Sequence, residues 1–443
     1  MSKQRNILVN AADISILNSA KAYKQQLLAL IAQAKKRIFI TVLYLQDDQA
    51  GQDILYALYD AKQKNIDLDI NVFVDFHRAQ RGLIGEVEQL GNRTLYLKLA
   101  GQFSVNINIY GVAVKRKELF GVLHLKGMIF DNQLFYTGAG INDVYCQQND
   151  RYRLDRYYQI NSQPLANSFC DYLANTFIHS GLAPLLNQQR MPSKNKQKHN
   201  IIAFKSLLKK AFYPVSQLHE VETKQTGKIT IKPLIGYGRR NNKLNRNVRR
   251  LIQNSETELL MFTPYFNLPP VLSRDVVKAL KRGVKVILVI GDKTANDFFI
   301  KDERAFSTIG IVPYIYEMLL RRFIKRWQYF IDQGLLTIHL WKDGDNSFHL
   351  KGIIADQRYH LLTGSNLNPR AWLLDLENGL LLDDVEKLLM PQVEDEIQQI
   401  LQFTTKIKHF DDLESVNRYP DKPKKLLKKI QFTQIDRLLK RFL

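Results

Sequence analysis

The chain has 443 residues, 45% of them hydrophobic and 10% aromatic, and a formal charge of +21. This composition buries a sizeable core and excludes a disordered or fibrous chain, while the basic excess points to an anionic partner, nucleic acid or anionic lipid, without specifying a fold. The two cysteines, Cys146 and Cys170, exclude a disulfide framework and a C-x-x-C metal site; residues 1–10 lack the apolar core of a signal peptide, and no stretch reaches the roughly 18–20 apolar residues of a spanning helix.

In chain order, residues 37–45 read as a strand, 53–64 as a helix and 68–75 as a strand. An apolar strand setting follows around residues 124–131. Residues 191–198 are polar, basic and proline-containing and mark a boundary. Residues 201–212 then carry apolar side chains at helical spacing with Lys205, Lys209 and Lys210 among them. The opening order returns in the second half, with a strand at 258–265, a helix at 274–281 and a strand at 284–292. Alternating strands and helices predict an α/β fold with a largely parallel sheet, and the short continuous apolar runs predict strands covered on both faces. Residues 318–327 and 422–443 combine Lys and Arg with large apolar side chains, the latter as a basic amphipathic helix. The expected organisation is a first repeat at 1–190, a basic linker at 191–226, a second repeat at 227–415 and a C-terminal helix at 416–443.

An internal duplication carries the chemistry. His124-Leu125-Lys126-Gly127-Met128-Ile129-Phe130-Asp131 is matched by His349-Leu350-Lys351-Gly352-Ile353-Ile354-Ala355-Asp356. Gly138-Ala139-Gly140-Ile141-Asn142 follows the first and Gly364-Ser365-Asn366-Leu367-Asn368 the second. One H-x-K-x-x-x-x-D is a weak signal, but two copies in similar settings are not. In an extended strand, positions i and i+2 share a face. Each histidine is therefore escorted by a lysine, and two such pairs facing each other make a pocket for a phosphodiester anion. A lone histidine in an apolar strand is more often structural, and that reading is kept for His77, His179, His199, His219, His339, His360 and His409.

The doubled motif resembles the phospholipase D superfamily, whose two repeats pack as a pseudo-twofold pair around one shared active site. Gly138 to Tyr145, Asp155-Arg156-Tyr157 and Asn368-Pro369-Arg370-Ala371-Trp372 are similar to its soluble bacterial phosphatidylserine synthase branch. The resemblance implies transfer of a phosphatidyl group from CDP-diacylglycerol to L-serine through a phosphatidyl-histidine. It assigns the catalytic set His124, Lys126, Asp131, His349, Lys351 and Asp356, with His124 as nucleophile and His349 as acid and base. Asp131 and Asp356 are expected to be structural members of the motif. Asn142 and Asn368 are the expected phosphate-binding asparagines; the family's G-S-x-N reads here as G-x-x-x-N, so Asn366 stands as a rival to Asn368. Asp155 and Glu377, 31 and 28 residues beyond His124 and His349, are the expected histidine-orienting carboxylates. The alternative reading of both is surface acids in ion pairs.

No metal and no other cofactor is expected, because the lysines supply the positive charge. The expected partners are CDP-diacylglycerol, L-serine and an anionic membrane surface, met through residues 422–443, 201–212 or 318–327. Core packing is an equal reading for 318–327. The expected location is the cytoplasmic face of the inner membrane, attached peripherally. The charge also predicts non-specific adhesion to ribosomes or RNA, with no specific nucleic-acid partner. A cardiolipin synthase or phospholipase D would use the same two histidines. A nuclease of the same superfamily is the remaining alternative.

Overall fold

A computed structural model describes residues 6–82, 91–215, 226–301 and 306–432. Seven strands form the first sheet, in spatial order Ile14–Leu17, Tyr157–Asn161, Gln133–Thr137, Met128–Phe130, Arg37–Thr41, Asp69–Asp75 and Asn108–Val112. The second sheet repeats that order with Lys228–Tyr237, Leu376–Asp383, Tyr359–Thr363, Gly352–Ala355, Glu258–Thr263, Lys285–Gly291 and Leu336–Trp341. It gains one more strand at each edge, Ile7–Asn10 and Thr404–Ile407.

The sheets are mixed, but their parallel part is smaller than the sequence leads one to expect. In each repeat only the last three strands of the common order pair in parallel, and the other pairings are antiparallel. The reason is connection length. The early strands are joined through helices such as Gln49–Lys64 and Pro270–Lys281, whereas Met128–Phe130 joins Gln133–Thr137, and Gly352–Ala355 joins Tyr359–Thr363, by a short turn.

Alternation explains the continuous apolar runs. Ile38, Ile40, Met128 and Phe130 face the helices of the first repeat, while Phe39 and Ile129 face inward. Leu259, Met261 and Ile353 face the helices of the second repeat, while Leu260, Phe262 and Ile354 face inward. The inward faces of both sheets share one core. Helices Gln163–Leu173 and Met390–Leu401 lodge side chains in that core, Leu165 and Phe169 from one and Val393 and Ile400 from the other, so the central strands are covered on both faces.

The repeats are stitched together by more than this core. Strand Ile7–Asn10, at the start of the chain, pairs antiparallel with Lys228–Tyr237, with Ile7 opposite Ile231. These residues thus belong to the second sheet, not to the first repeat where the sequence reading puts them. The linker also contributes to packing. Helix Lys194–Lys210 buries Phe204 and Leu208, and the following Tyr213 stacks on Phe169 with ring centroids 4.4 Å apart.

Of the three basic segments expected at a lipid surface, helix Val312–Asp332 spends Met318, Leu320, Phe323 and Ile324 on the core. Helix Asp421–Phe432 buries Leu427 against Ile311, Tyr314 and Tyr419; residues 433–443 lie outside the described residues. Helix Lys194–Lys210 and the residues after it leave Ile202 and Phe212 exposed. Among the described residues no helix is long and apolar enough to cross a membrane.

The motif aspartates work in this framework. Asp131 accepts backbone N–H bonds from Lys35, Lys36 and Arg37 at 2.9, 2.7 and 3.0 Å. Asp356 accepts from Glu256, Thr257 and Glu258 at 3.1, 2.8 and 3.1 Å. Each fastens the entry of a central strand. Both take a positive φ, 52° and 56°, unusual for a residue with a side chain. Burial pushes their carboxyls up, but the backbone donors outweigh it and hold both below the usual value. A depressed folded pKa adds stability that is present above the unfolded value, about 4, and is lost as pH falls through the folded one. Asp131→Ala and Asp356→Ala are each expected to cost ~1–3 kcal/mol in urea unfolding, with the loss shrinking at acid pH. A variant as stable as the parent at pH 7 would remove the clamp.

Candidate active site

The two histidines sit where the repeats meet. The segment before each strand is extended and pairs with a segment of the other repeat. Leu123 bridges Leu376 in parallel, and the His124 N–H donates to the Leu376 carbonyl at 2.9 Å. Ser347–Phe348 pairs in parallel with Arg153–Leu154, and the His349 N–H donates to the Leu154 carbonyl at 2.9 Å. Just beyond each histidine-lysine pair the chain bends at a glycine of positive φ, 116° at Gly127 and 146° at Gly352. A Cβ there would lie 2.8 Å from Phe169 or 2.9 Å from the Leu361 carbonyl, so glycine is required twice over.

The pairing fixes the carboxylates. Glu377 follows Leu376, and its carboxylate oxygens lie 2.9 and 3.0 Å from His124 Nδ1. Asp155 follows Leu154, and its Oδ2 lies 2.8 Å from His349 Nδ1. Both carboxylates are about 98% buried, so neither is a surface acid. They cross over. Each repeat's carboxylate holds the other repeat's histidine, a partner exchange that sequence separation cannot reveal.

Both motif lysines are buried. Lys351 Nζ contacts the His349 ring, 2.9 Å from Nε2, and lies 3.3 Å from Asp155 Oδ2. The Lys126 side chain runs over Gly364, where a Cβ would lie 2.6 Å from Lys126 Cγ. Its backbone is clamped by Asn378, which accepts from the Lys126 N–H at 2.8 Å and donates to its carbonyl at 2.7 Å. Asn378 also donates to the Tyr213 hydroxyl at 2.8 Å, so the linker supports the site.

Asn142 and Asn368 take equivalent positions. Each accepts a backbone N–H three residues on, from Tyr145 at 3.0 Å and from Ala371 at 2.9 Å. Asn366 instead donates to the Tyr265 hydroxyl at 3.0 Å. By this local geometry Asn368, not Asn366, is the counterpart of Asn142. Asp131 and Asp356 stand apart from the reactive groups, at the far ends of strands Met128–Phe130 and Gly352–Ala355. Their place in a catalytic set is corrected by the strand itself, which separates them from the lysines.

Three neighbours escaped the sequence reading. Tyr145 places its hydroxyl 3.1 Å from both ring nitrogens of His349, with the two rings edge to face. Arg153 lies over the Tyr145 ring at 4.5 Å and pairs with Asp297 at 2.7 Å. Asp75 accepts the Leu123 N–H at 2.9 Å and so fixes the entry to His124. The available signal for Tyr145 was positional: it stands three residues after Asn142, where the second repeat has Ala371 after Asn368. Among the described residues no group of three or more His, Cys, Asp or Glu is arranged to hold a metal ion.

Electrostatics separate the two halves. Burial and then the Lys351 ammonium pull the His349 imidazole down to about 3. Burial and then Lys126 bring His124 well below its ordinary value. Asp155 is pushed up by burial, but Lys351 and His349 outweigh it and keep it ionised. Burial drives Glu377 up to about 8 against the pull of Lys126 and Lys351. Burial also lowers Lys351, to about 7. At neutral pH the Glu377–His124 pair therefore keeps a proton that the Asp155–His349 pair lacks. The whole arrangement is a buried pocket in which two lysines and two imidazoles face ionised Asp155, and an entering phosphodiester would raise both imidazoles.

A family model described as "Cardiolipin synthase, PLD-like domain" matches residues 27–142 and 248–401, one part in each repeat. The chain is 40% identical to the CDP-diacylglycerol–serine O-phosphatidyltransferase PssA of Escherichia coli K12, over 97% of this chain and 94% of that one. It is 40% identical to the CDP-diacylglycerol–serine O-phosphatidyltransferase of Haemophilus influenzae, over 99% and 96%. The crystal structure of phosphatidylserine synthase from Haemophilus influenzae Rd KW20 superposes with a TM-score of 0.94, covering 99% of this chain and 97% of that one. The chain belongs to the PLD-like family and, within it, to the family of the CDP-diacylglycerol–serine O-phosphatidyltransferases.

The lowered imidazoles give a pH test. Their stabilising contribution is present above the unfolded histidine value of about 6.5 and is lost as pH falls towards the folded values, about 3 for His349 and well below the ordinary value for His124. Carbon-13 NMR of labelled histidine is expected to show no titration of His124 or His349 between pH 5 and 8 in the free protein, and an upward shift with inorganic phosphate. A midpoint near the ordinary histidine value without phosphate would contradict the burial of the pair.

Proposed function

We propose that the chain transfers the phosphatidyl group of CDP-diacylglycerol to L-serine, giving phosphatidylserine and CMP through a phosphatidyl-histidine. The observation that carries this reading is the pair of crossed histidine–carboxylate couples at one interface, in a chain 40% identical over nearly its whole length to named serine O-phosphatidyltransferases. In the first step an imidazole Nε2 attacks the lipid phosphorus, the bond to the CMP oxygen breaks, and the other histidine protonates CMP. In the second, that histidine takes the proton of the serine hydroxyl, whose oxygen displaces the first imidazole. Lys126, Lys351, Asn142 and Asn368 hold the non-bridging oxygens, where the transition state concentrates charge. Splitting one displacement into two suits imidazole, which serves as nucleophile and as proton carrier.

The family resemblance gives the attack to His124. The proton inventory favours the reverse order. Ionised Asp155 fixes a proton on His349 Nδ1 and leaves Nε2 as a lone pair, while the Glu377–His124 pair retains a proton to donate. Quenching single turnovers of labelled CDP-diacylglycerol and mapping the labelled peptide decides the order. Reactant and product lipid both live in a bilayer, so the enzyme works as a peripheral protein, and we place it on the cytoplasmic face of the inner membrane.

In mixed micelles, CMP release is expected to depend on serine, and labelled CMP is expected to exchange into CDP-diacylglycerol without serine. Release of CMP with no phosphatidylserine formed would defeat the acceptor assignment. His124→Ala and His349→Ala are each expected to lower turnover at least about 1000-fold with the fold retained by circular dichroism. Tyr145→Phe is expected to lower kcat about 10–100-fold with little change in KM. An unchanged kcat would leave Tyr145 a packing residue.

A further inference from the structure

We propose that Arg153 and Asp297 hold the acceptor: the guanidinium takes the carboxylate of the amino acid, the Asp297 carboxylate takes its ammonium, and its hydroxyl is left at His349. This rests on the L-serine reading above and deepens it. The two residues come from different repeats. Arg153 lies on strand Arg153–Leu154, and Asp297 follows strand Lys285–Gly291 in a turn where Asn296 Oδ1 accepts the Phe298 N–H at 2.9 Å. They meet at 2.7 Å. Arg153 covers the Tyr145 ring at 4.5 Å, and the Tyr145 hydroxyl reaches the His349 ring at 3.1 Å. Side-chain exposure falls along this row, from 28% for Asp297 to 15% for Arg153 and 11% for His349. The row therefore runs from solvent to a reacting ring, the path that a small water-soluble acceptor needs.

The charges of the pair pick the acceptor. The phosphodiester and the departing CMP are both anions, and a site that served them alone has no use for a carboxylate beyond the two that hold the histidines. Arg153 suits them and Asp297 repels them. Asp297 nevertheless stands within electrostatic reach of the reacting groups: burial lowers His349 and Lys351 most, and Asp297 acts against it on both. Its carboxylate gains a use once CMP has gone and an ammonium has come. L-serine carries its ammonium and carboxylate on one carbon, next to the reacting hydroxymethyl group, so its two charges can face the two partners of one ion pair. A partly exposed pair of this kind adds little to stability, and a ligand can exchange with it at small cost.

The matching position in the other half is committed elsewhere. Arg153 stands two residues before Asp155, and two residues before Glu377 stands Asp375, of opposite charge. Asp375 accepts the Val122 N–H at 3.0 Å, and its partner Arg370 donates to the Glu118 carbonyl at 2.9 Å. That pair is tied into the backbone, whereas Asp297 is exposed.

An acceptor at Arg153 and Asp297 enters beside His349, and in-line displacement then requires the phosphatidyl group on His124. The serine oxygen bonds to phosphorus as the bond from phosphorus to His124 Nε2 breaks. That electron pair returns to the His124 ring, and the hydroxyl proton passes to His349 Nε2. This is the order that the family resemblance gives. The proton inventory that favours the reverse is that of the free site, before a phosphodiester raises both imidazoles.

The test compares the parent enzyme with Asp297→Asn in mixed micelles, by transfer to L-serine and by acceptor-free exchange of labelled CMP into CDP-diacylglycerol. The KM for serine is expected to rise about 10–100-fold in the variant, while CMP exchange stays within about twofold of the parent. 3-Hydroxypropionate, which lacks the ammonium, is expected to compete with serine at the same inhibition constant in both proteins. Ethanolamine, which keeps the ammonium, is expected to compete at least about tenfold more weakly in the variant. Quenched single turnovers are expected to label the peptide that carries His124. A serine KM within about twofold of the parent's, equal weakening of both competitors, or a label on His349 would each overturn the proposal. So would a fall in CMP exchange as large as the fall in serine transfer, which would reduce the pair to a support for Tyr145. Failure of the parent enzyme itself to form phosphatidylserine would instead defeat the acceptor assigned above.

Discussion

The exchange of carboxylates across the interface is the constraint on which the site depends. A buried imidazole needs its ring orientation and its tautomer fixed, and both are set by the group on Nδ1. Here that group comes from the opposite repeat in both cases, Glu377 for His124 and Asp155 for His349. The same backbone pairing delivers the carboxylate and aligns the histidine, because Leu376 and Leu154 accept the histidine N–H bonds one residue earlier. Orientation of the reactive groups and docking of the repeats are therefore one event. A shift at the interface by a single residue would carry both carboxylates to the wrong face.

Near symmetry and its breaking divide the labour. The two halves share strand order, motif, glycine bend and asparagine cap, which gives two histidine–lysine couples at one interface. What differs is local. Lys351 touches both His349 and its carboxylate, and Tyr145 stands over His349 where Ala371 follows the second asparagine. Glu377 is left more protonated than Asp155 because burial is less offset there. These few substitutions suffice to make equal positions unequal.

Much of this was legible in the sequence because duplication converts a weak pattern into a strong one. The histidines, lysines and asparagines were found by matching the two halves, and the both-sided burial of the strands was legible in runs such as Val286 to Ile290. What stayed hidden has a common physical cause. Pairing between repeats leaves no periodic trace along the chain, so the crossing of Asp155 and Glu377, the clamp by Asn378 and the support from Tyr213 could not be read. The extent of the parallel sheet was overestimated because apolar content marks burial, not strand direction. The apolar residues of 318–327 have the same composition whether they meet lipid or, as here, a core.

The first strand has a further consequence for how the chain is made. Ile7 and Val9 are buried only when Ile229 and Ile231 have arrived. At ordinary translation speeds of about 5–20 residues per second, their partners emerge roughly ten to forty seconds later. Until then the apolar edge formed by Ile7 and Val9 has no mate. Synthesis of this protein therefore completes the core of the first repeat, residues 20–186, well before this strand pair closes.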